Sequence, residues 1–369
     1  MSGNTTVKWD KRQRKLFNGR PLLSFTEAMM FNFLRNKDIA IDLGNTNTVV
    51  TDNCRILLSQ PSYIVIDQES QAVRAVGEKA YNMFEKNPET LLPVKPMKGG
   101  VIADYESAIK MIRQMVTDIS PRRSFFSGYN DIISGVPFYA TSVEQQALRD
   151  ALGQFNSRRT YMVYEPLAAA MGIGLDIAAP EGKMLVDIGG GITEIVIISL
   201  SGVAAFQSVK AAGDMFDVEI QDHFRRVYNM GIGIKTAEQV KIGVGAVLDK
   251  VADAPVPVQV RGKDLIRGIP MTRSIGYQEV ARILDRYIVS IENAVIQTLE
   301  SCPPELAADI YEGGIHITGG NSLLRGMRER FERRLNLPVH IDSQPLLSVS
   351  KGVSQMLGRT RRYESILMS

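Results

Sequence analysis

Two segments of the chain end an apolar run on an aspartate and follow it with a glycine turn: D-L-G-N-T-N-T at 42–48 and D-I-G-G-G-I-T-E at 187–194. Glycine in such a turn lets backbone N–H groups approach phosphate oxygens with no Cβ in the way. A carboxylate at the strand end can hold Mg²⁺ through the ion's waters. Either segment alone reads as an ordinary β-hairpin turn; the two at matched positions favour phosphate chemistry. A third segment, I-H-I-T-G-G-N-S-L-L-R-G-M at 315–327, turns an apolar strand through Gly319 and Gly320 into a helix. Its N-terminal amides could face a nucleotide, and the glycine pair leaves room for a ribose or base against backbone. By itself it is an everyday strand-to-helix turn.

The elements that must position these turns follow from hydrophobic period. IAIDLGNTNTVV, ILLSQPSYIVID and VRAVG read as three consecutive strands. Between Asp104 and Ile119, residues 108, 111, 112, 115, 116 and 119 make one apolar helical stripe. A loop over 121–130 leads to a buried strand, IISGVP, then to a helix starting at Thr141 and a strand, YMVYEP. At Met184 the order restarts, and Asp187 lies 187 − 42 = 145 residues after Asp42 at the same place in its strand. The pattern predicts an internal duplication: two α/β lobes facing each other across a cleft at their strand ends, where ligands bind in such folds.

Composition excludes several classes. The 369 residues are 44% hydrophobic and 22% charged, with mean hydropathy of −0.05, as in a globular protein of two domains or one bilobal unit. Two cysteines, Cys54 and Cys302, are far apart in sequence and offer no disulfide framework or zinc site, so a reducing cytoplasm is expected. No apolar run reaches the roughly 18 residues of a membrane span, and the chain start lacks a signal-peptide core. Residues 1–37 hold eight Lys or Arg against two acids, +6, so the other 332 residues sum to 3 − 6 = −3. That balance argues against nucleic acid as a partner of the body. Residues 1–23 read as a flexible basic arm and 24–36 as a short apolar helix, opened by Ser24 and Glu27 in capping-box spacing and carrying Phe25, Met29 and Phe33. That helix either packs on its own domain or enters a lipid interface beside its cationic flank.

The chain resembles the MreB family of bacterial actin homologues, within the actin, Hsp70 and sugar-kinase superfamily, from about residue 30 to 358. The motifs that carry the likeness are K-P-M-K-G-G-V-I-A-D-Y at 95–105, Y-E-P-L-A-A-A-M-G-I-G at 164–174, A-G-D-M-F-D at 212–217 and C-P-P-E-L-A-A-D-I at 302–310. The resemblance implies an α/β, actin-like (ribonuclease H-like) duplicated ATPase fold, each lobe with a large and a small subdomain. Lobe I would span 37–186 (small subdomain about 68–105) and lobe II 187–344 (small subdomain about 223–287), with 345–369 returning to lobe I. It implies ATP and Mg²⁺ as cofactors, self-assembly into paired filaments, attachment to the inner membrane surface, and transmembrane adaptor and cell-wall synthesis proteins as partners.

Position by position, the resemblance puts Gly44, Asn45, Thr46, Asn47 and Thr48 with Gly189, Gly190, Gly191 and Ile192 on the phosphates, and Asp42 and Asp187 near Mg²⁺. Glu238 and Lys241, otherwise an i, i+3 surface pair, would face ribose and base, and Gly319, Gly320, Asn321, Ser322 and Leu323 would close the adenosine side. Glu144 completes a T-x-x-E capping box with Thr141; the family likeness makes it also the acid that positions the attacking water. The chain departs from the family pattern at Ile192, where a water-orienting threonine is usual, at Asn321 and Asn45, and at Gly100, where an aspartate is usual. Phe125 and Phe126, beside Arg122 and Arg123, sit where the family carries a loop that enters the bilayer; packing into the core is the alternative. Two rivals share the superfamily: a small-molecule kinase, for whose acceptor pocket the chain shows no spare length, and a chaperone-type ATPase, whose peptide-binding domain would have to follow residue 369.

Overall fold

The computed structural model describes residues 38–53, 55–119 and 129–369. The basic arm, the apolar segment with Phe25, Met29 and Phe33, and the Phe125–Phe126 pair lie outside the described residues. No helix of the described residues is long and apolar enough to cross a membrane.

Two five-stranded sheets form the centre. The first contains β1 (Ile39–Leu43), β2 (Asn47–Asp52), β3 (Arg55–Pro61), β4 (Tyr129–Val136) and β5 (Ser157–Tyr164). The second contains β6 (Lys183–Ile188), β7 (Thr193–Ser199), β8 (Gly202–Val209), β9 (Ile315–Thr318) and β10 (Val339–Ile341). Their orders are β3-β2-β1-β4-β5 and β8-β7-β6-β9-β10. In each, the first three strands form an antiparallel meander and the last two join in parallel. This is the same topology twice, the duplication that the 145-residue offset predicts. Ala40, Ile41, Leu185 and Val186 are buried on both faces of the central strands, which is why β1 and β6 read as continuous apolar runs.

The register fixes the chemistry. In the β1–β2 hairpin Asp42 faces Val49, and in the β6–β7 hairpin Asp187 faces Glu194, so each aspartate stands one residue from the end of its strand. Between the sheets lie the helices Glu165–Gly172 and Ser348–Gln355, whose apolar side chains join residues of both sheets, including Ala40, Ile133, Leu185 and Val196, in one core. The helices touch backbone to backbone: a Cβ on Gly172 would lie 1.9 Å from the Ser348 carbonyl oxygen, and one on Gly352 1.7 Å from that of Ala168. The chain end also returns to the first sheet, where Met368 bridges Met162.

Several expected boundaries move. The region read as three strands over 39–76 holds five, because Ser62 and Tyr63 break ILLSQPSYIVID and the glycine turn splits the first run. The strand Ile64–Asp67 already belongs to the small three-stranded sheet with Val73–Val76 and Leu91–Val94, so this subdomain starts near 64 rather than 68. A division at 186/187 would cut β6, whose pairing with β7 starts at Lys183; the crossover between sheets lies in 173–182. An end near 287 for the second small subdomain would cut the single helix Tyr277–Ser301; its sheet ends at Ile275.

The close approach of the two central helices generates a prediction. Backbone atoms cannot yield to an added methyl, so Gly352→Ala should force the helices apart and cost about 2 kcal/mol or more. Thermal unfolding should show a fall of several degrees, whereas Gly153→Ala, where a Cβ meets nothing within 4 Å, should leave the transition within a degree.

Candidate functional site

The cleft is built where the two sheets turn their first hairpins toward each other. One cavity is lined by Asp42, Gly44, Asn45, Thr46 and Asn47 from the first hairpin, Asp187, Gly189, Gly190, Gly191 and Ile192 from the second, and Gly319 and Gly320 from the third turn. It runs on into a second cavity that shares Thr46, Asn47, Gly190 and Gly320 and adds Glu238, Lys241, Asn321 and Leu323. The structure thus gathers three turns distant in sequence around one space. The glycines also serve a purpose that their spacing did not show. A Cβ on Gly190 would lie 2.0 Å from Thr46 Oγ1, and one on Gly191 2.7 Å from Asn45 Cγ, so the second turn accepts the side chains of the first. Gly319, at φ +81°, passes so near β6 that a Cβ would meet the Ile188 carbonyl at 2.5 Å.

Two of the assigned residues, Thr48 and Ser322, do not face this space with their side chains, and a third, Asn321, lines it. Thr48 is fully buried and shares a hydrogen bond of 2.9 Å with Ser62, whose hydroxyl donates to the Gly44 carbonyl, so it supports the turn from below. Ser322 donates inward to the Gly319 carbonyl and closes a 3₁₀ turn, Gly320–Leu323; the third segment therefore enters a 3₁₀ turn and reaches its α-helix only at Met327. Asn321 donates to the Gly189 carbonyl at 2.7 Å and ties the third turn to the second.

Four carboxylates converge on the cleft, two of them, Glu165 and Glu194, missed by sequence reasoning. Burial pushes Asp42 up to about 7 and Asp187 up to about 6, with Asp187 adding to the rise at Asp42. Burial likewise raises Glu194 to about 8 and lifts Glu165 well above the usual carboxylate range, with the neighbouring acids adding to both. Glu194 accepts the Phe138 N–H at 2.8 Å, bridging from β7 to the loop after β4. Among the described residues no ion pair neutralises any of the four. Buried anions without a counter-charge are costly. The set therefore fits a divalent cation, and no three of these side chains are placed to ligate one directly, so the ion would be held through its waters.

Other bonds tie the cleft walls together. Asp214, on the helix Gly213–Tyr228, accepts from Asn45 Nδ2 at 2.7 Å and from Lys95 Nζ at 2.7 and 2.9 Å, while its own N–H donates to the Gly190 carbonyl. Further out, the Tyr81 hydroxyl donates to Glu238 at 2.6 Å, and Glu85 accepts the Ile234 N–H at 2.7 Å. Lys241 donates to Asp217 at 2.9 Å and to the Gly213 carbonyl; burial nonetheless pushes Asp217 up to about 7. Glu238 and Lys241 thus stand in one wall, each already partnered. Leu323, 56% exposed, lies at the rim.

Glu144 closes its capping box in both directions: its Oε2 accepts from the Thr141 N–H and hydroxyl, each at 2.8 Å. It lines a space that adjoins the cleft through Gly100 and Glu165. Ile192 faces the cleft, and Thr193 is buried with its hydroxyl on the Ala211 carbonyl. Gly100, at φ +82°, adjoins it: a Cβ there would lie 3.5 Å from Ile192 Cγ2 and 3.3 Å from the Tyr139 hydroxyl. Gly100 and Ile192, two positions at which the sequence departs from the pattern that its resemblance implies, are neighbours in space.

The profile of the MreB/Mbl protein family matches residues 36–365. The chain is similar to the cell shape-determining protein Mbl of Bacillus subtilis (37% identity, covering 87% of this chain and 96% of the relative). It is also similar to the cell shape-determining protein MreB of Escherichia coli (36%, covering 89% and 95%). Among solved structures, MreB5 of Spiroplasma citri bound to AMPPNP matches with a TM-score of 0.84 at 30% identity, covering 89% of this chain and 98% of that one. The double helical filament of MamK matches in fold, with a TM-score of 0.73 at 19% identity, covering 87% and 98%.

The raised carboxylates predict how stability depends on pH. A folded-state value of about 7 for Asp42, above its unfolded value, gives a contribution fully present below about pH 4 and lost as pH rises through 7. In metal-free protein, Asp42→Asn should therefore raise the melting temperature by several degrees at pH 8 and by much less at pH 5. An equal change at both values would contradict the burial of an ionised Asp42.

Proposed function

The chain belongs to the MreB/Mbl family and has its actin-like fold, and from that premise we propose that it binds ATP with Mg²⁺ in the cleft between its two sheets. On this reading it assembles into filaments at the inner face of the cytoplasmic membrane and organises cell-wall synthesis and cell shape. The observation that carries the nucleotide reading is the meeting of the Asp42 and Asp187 strand ends, with both glycine turns, across one cavity. The AMPPNP bound by the Spiroplasma relative points the same way. The family match speaks for a filament protein over a small-molecule kinase or a chaperone-type ATPase.

In this proposal the backbone of 44–47 and 189–191 takes the phosphates, and the cavity between Glu238, Lys241, Asn321 and Leu323 takes the nucleoside. Asp42 and Asp187, supported by Glu165 and Glu194, hold the waters of Mg²⁺, which would neutralise charge developing on the phosphates. Glu144 orients the attacking water through the oxygen that its capping box leaves unused, beside a helix N-terminus that favours anions. Ile192 offers that water no hydrogen bond, so hydrolysis is slow while binding is intact. Nucleotide then persists in the filament, and the subunits stay closed around it.

Calorimetry tests the binding assignment: Asp187→Ala should weaken Mg-ATP binding at least tenfold and abolish assembly, and parent-like binding would refute it. Ile192→Thr should raise phosphate release in assembled protein roughly tenfold, as one restored hydrogen bond to the nucleophile would give. Glu144→Ala should remove that gain. An unchanged rate in Ile192→Thr would mean that the water is held elsewhere.

A further inference from the structure

Away from the cleft, the 3₁₀ turn Thr360–Tyr363 closes a cavity against the start of β4, the start of β5 and Asp38. Five arginines line it, at 158, 159, 359, 361 and 362, against two acids, Asp38 and Asp131. Arg159 is committed: its Nε and Nη2 reach the two Asp131 oxygens at 2.7 and 2.9 Å. Asp38 accepts the Asp131 N–H and adds one further negative charge. Four guanidinium groups remain, and none of Arg158, Arg359, Arg361 or Arg362 has an acidic partner among the described residues. The lining carries five positive charges less two negative ones, a surplus of +3.

Like charges gathered around one concavity repel, and an anion that accepts their donors relieves the repulsion. The flat fork of arginine matches a phosphate with two N–H groups at once, which a lysine ammonium cannot do. The position of the cavity identifies the source of that phosphate. Asp38 directly follows residues 1–37, which carry +6 and the apolar run from Phe25 to Leu34, and Tyr129 directly follows the stretch that carries Phe125 and Phe126. Both apolar stretches thus lie close in sequence to residues that line the arginine cavity, Asp38 and Asn130.

We propose that this cavity binds the phosphate of an anionic phospholipid headgroup and so sets the chain's orientation on a membrane. The proposal rests on the membrane association proposed above, and adds to it a headgroup class and a site. Apolar stretches supply depth of insertion; the arginines supply attraction to anionic lipid, on the order of a fivefold gain per residue near a charged surface.

The test uses the full chain and the variant Arg359→Gln/Arg361→Gln/Arg362→Gln, with Arg158→Gln/Arg361→Gln as a milder second variant. Flotation with phosphatidylglycerol vesicles should fall on the order of a hundredfold for the triple variant, while weak binding to phosphatidylcholine vesicles and Mg-ATP binding stay as in the parent. Dihexanoyl phosphatidylglycerol, added below its micelle concentration, should bind the parent saturably and the variants not at all. Arg→Lys at the same three positions should recover only part of the vesicle binding. Parent-like flotation of both variants on anionic vesicles would overturn the site and leave membrane association standing. Binding of inorganic phosphate as tight as that of the soluble lipid would overturn the lipid assignment. A parent that floats with neither vesicle would end both proposals.

Discussion

Four carboxylates buried where two sheets meet, without a cation among the described residues to neutralise them, are the constraint on which the remaining architecture depends. Asp42 and Asp187 stand at equivalent strand ends because the sheet topology is repeated. Glu194 faces Asp187 through the hairpin register, and Glu165 opens the helix that separates the sheets. Bringing these groups together raises the free energy of the fold without a cation, since burial lifts all four above the usual carboxylate range. The fold accepts this because the same charges would be stabilised when a cation and its phosphates enter.

What offsets the repulsion is visible around it. The core between the sheets is closed by helices whose backbones touch at Gly172 and Gly352. Asp214 collects Asn45 and Lys95 from the first lobe while sitting on a helix of the second. Tyr81 and Glu85 reach across to Glu238 and to the start of the helix Ile234–Val244. These bonds tie the lobes together across the cleft, where the side chains of Asn45 and Thr46 pack against Gly190 and Gly191.

Much of this was legible in the chain because strand-end aspartates followed by glycine are local signals, and their 145-residue offset announced the duplication. The stripe from Ala108 to Ile119 and the Thr141–Glu144 capping box were equally local, and both stand where the spacing put them. The rest depended on pairing over long distances. Glu165 looks like a first-turn acid before a proline until the second sheet is placed beside it. Thr48 looks like part of a phosphate turn until Ser62 is folded under it, and β2 is covered on both faces, so alternation gives no inside or outside. The break at Ser62, the start of β6 at Lys183 and the 3₁₀ turn at Gly320 depend on hydrogen-bond partners that hydrophobic period does not encode.

The central claim is that Mg²⁺ and nucleotide relieve charges held across the cleft, and proton release on binding tests it most directly. Titration of Mg-ATP by calorimetry near pH 6.5, in buffers of different ionisation enthalpy, counts the protons released. Carboxylates with values of about 6 to 8 in the empty protein should release on the order of one proton as the cation lowers them. That release should fall in Asp42→Asn/Asp187→Asn and vanish without Mg²⁺. Tight binding with no proton release, equal with and without Mg²⁺, would contradict the account.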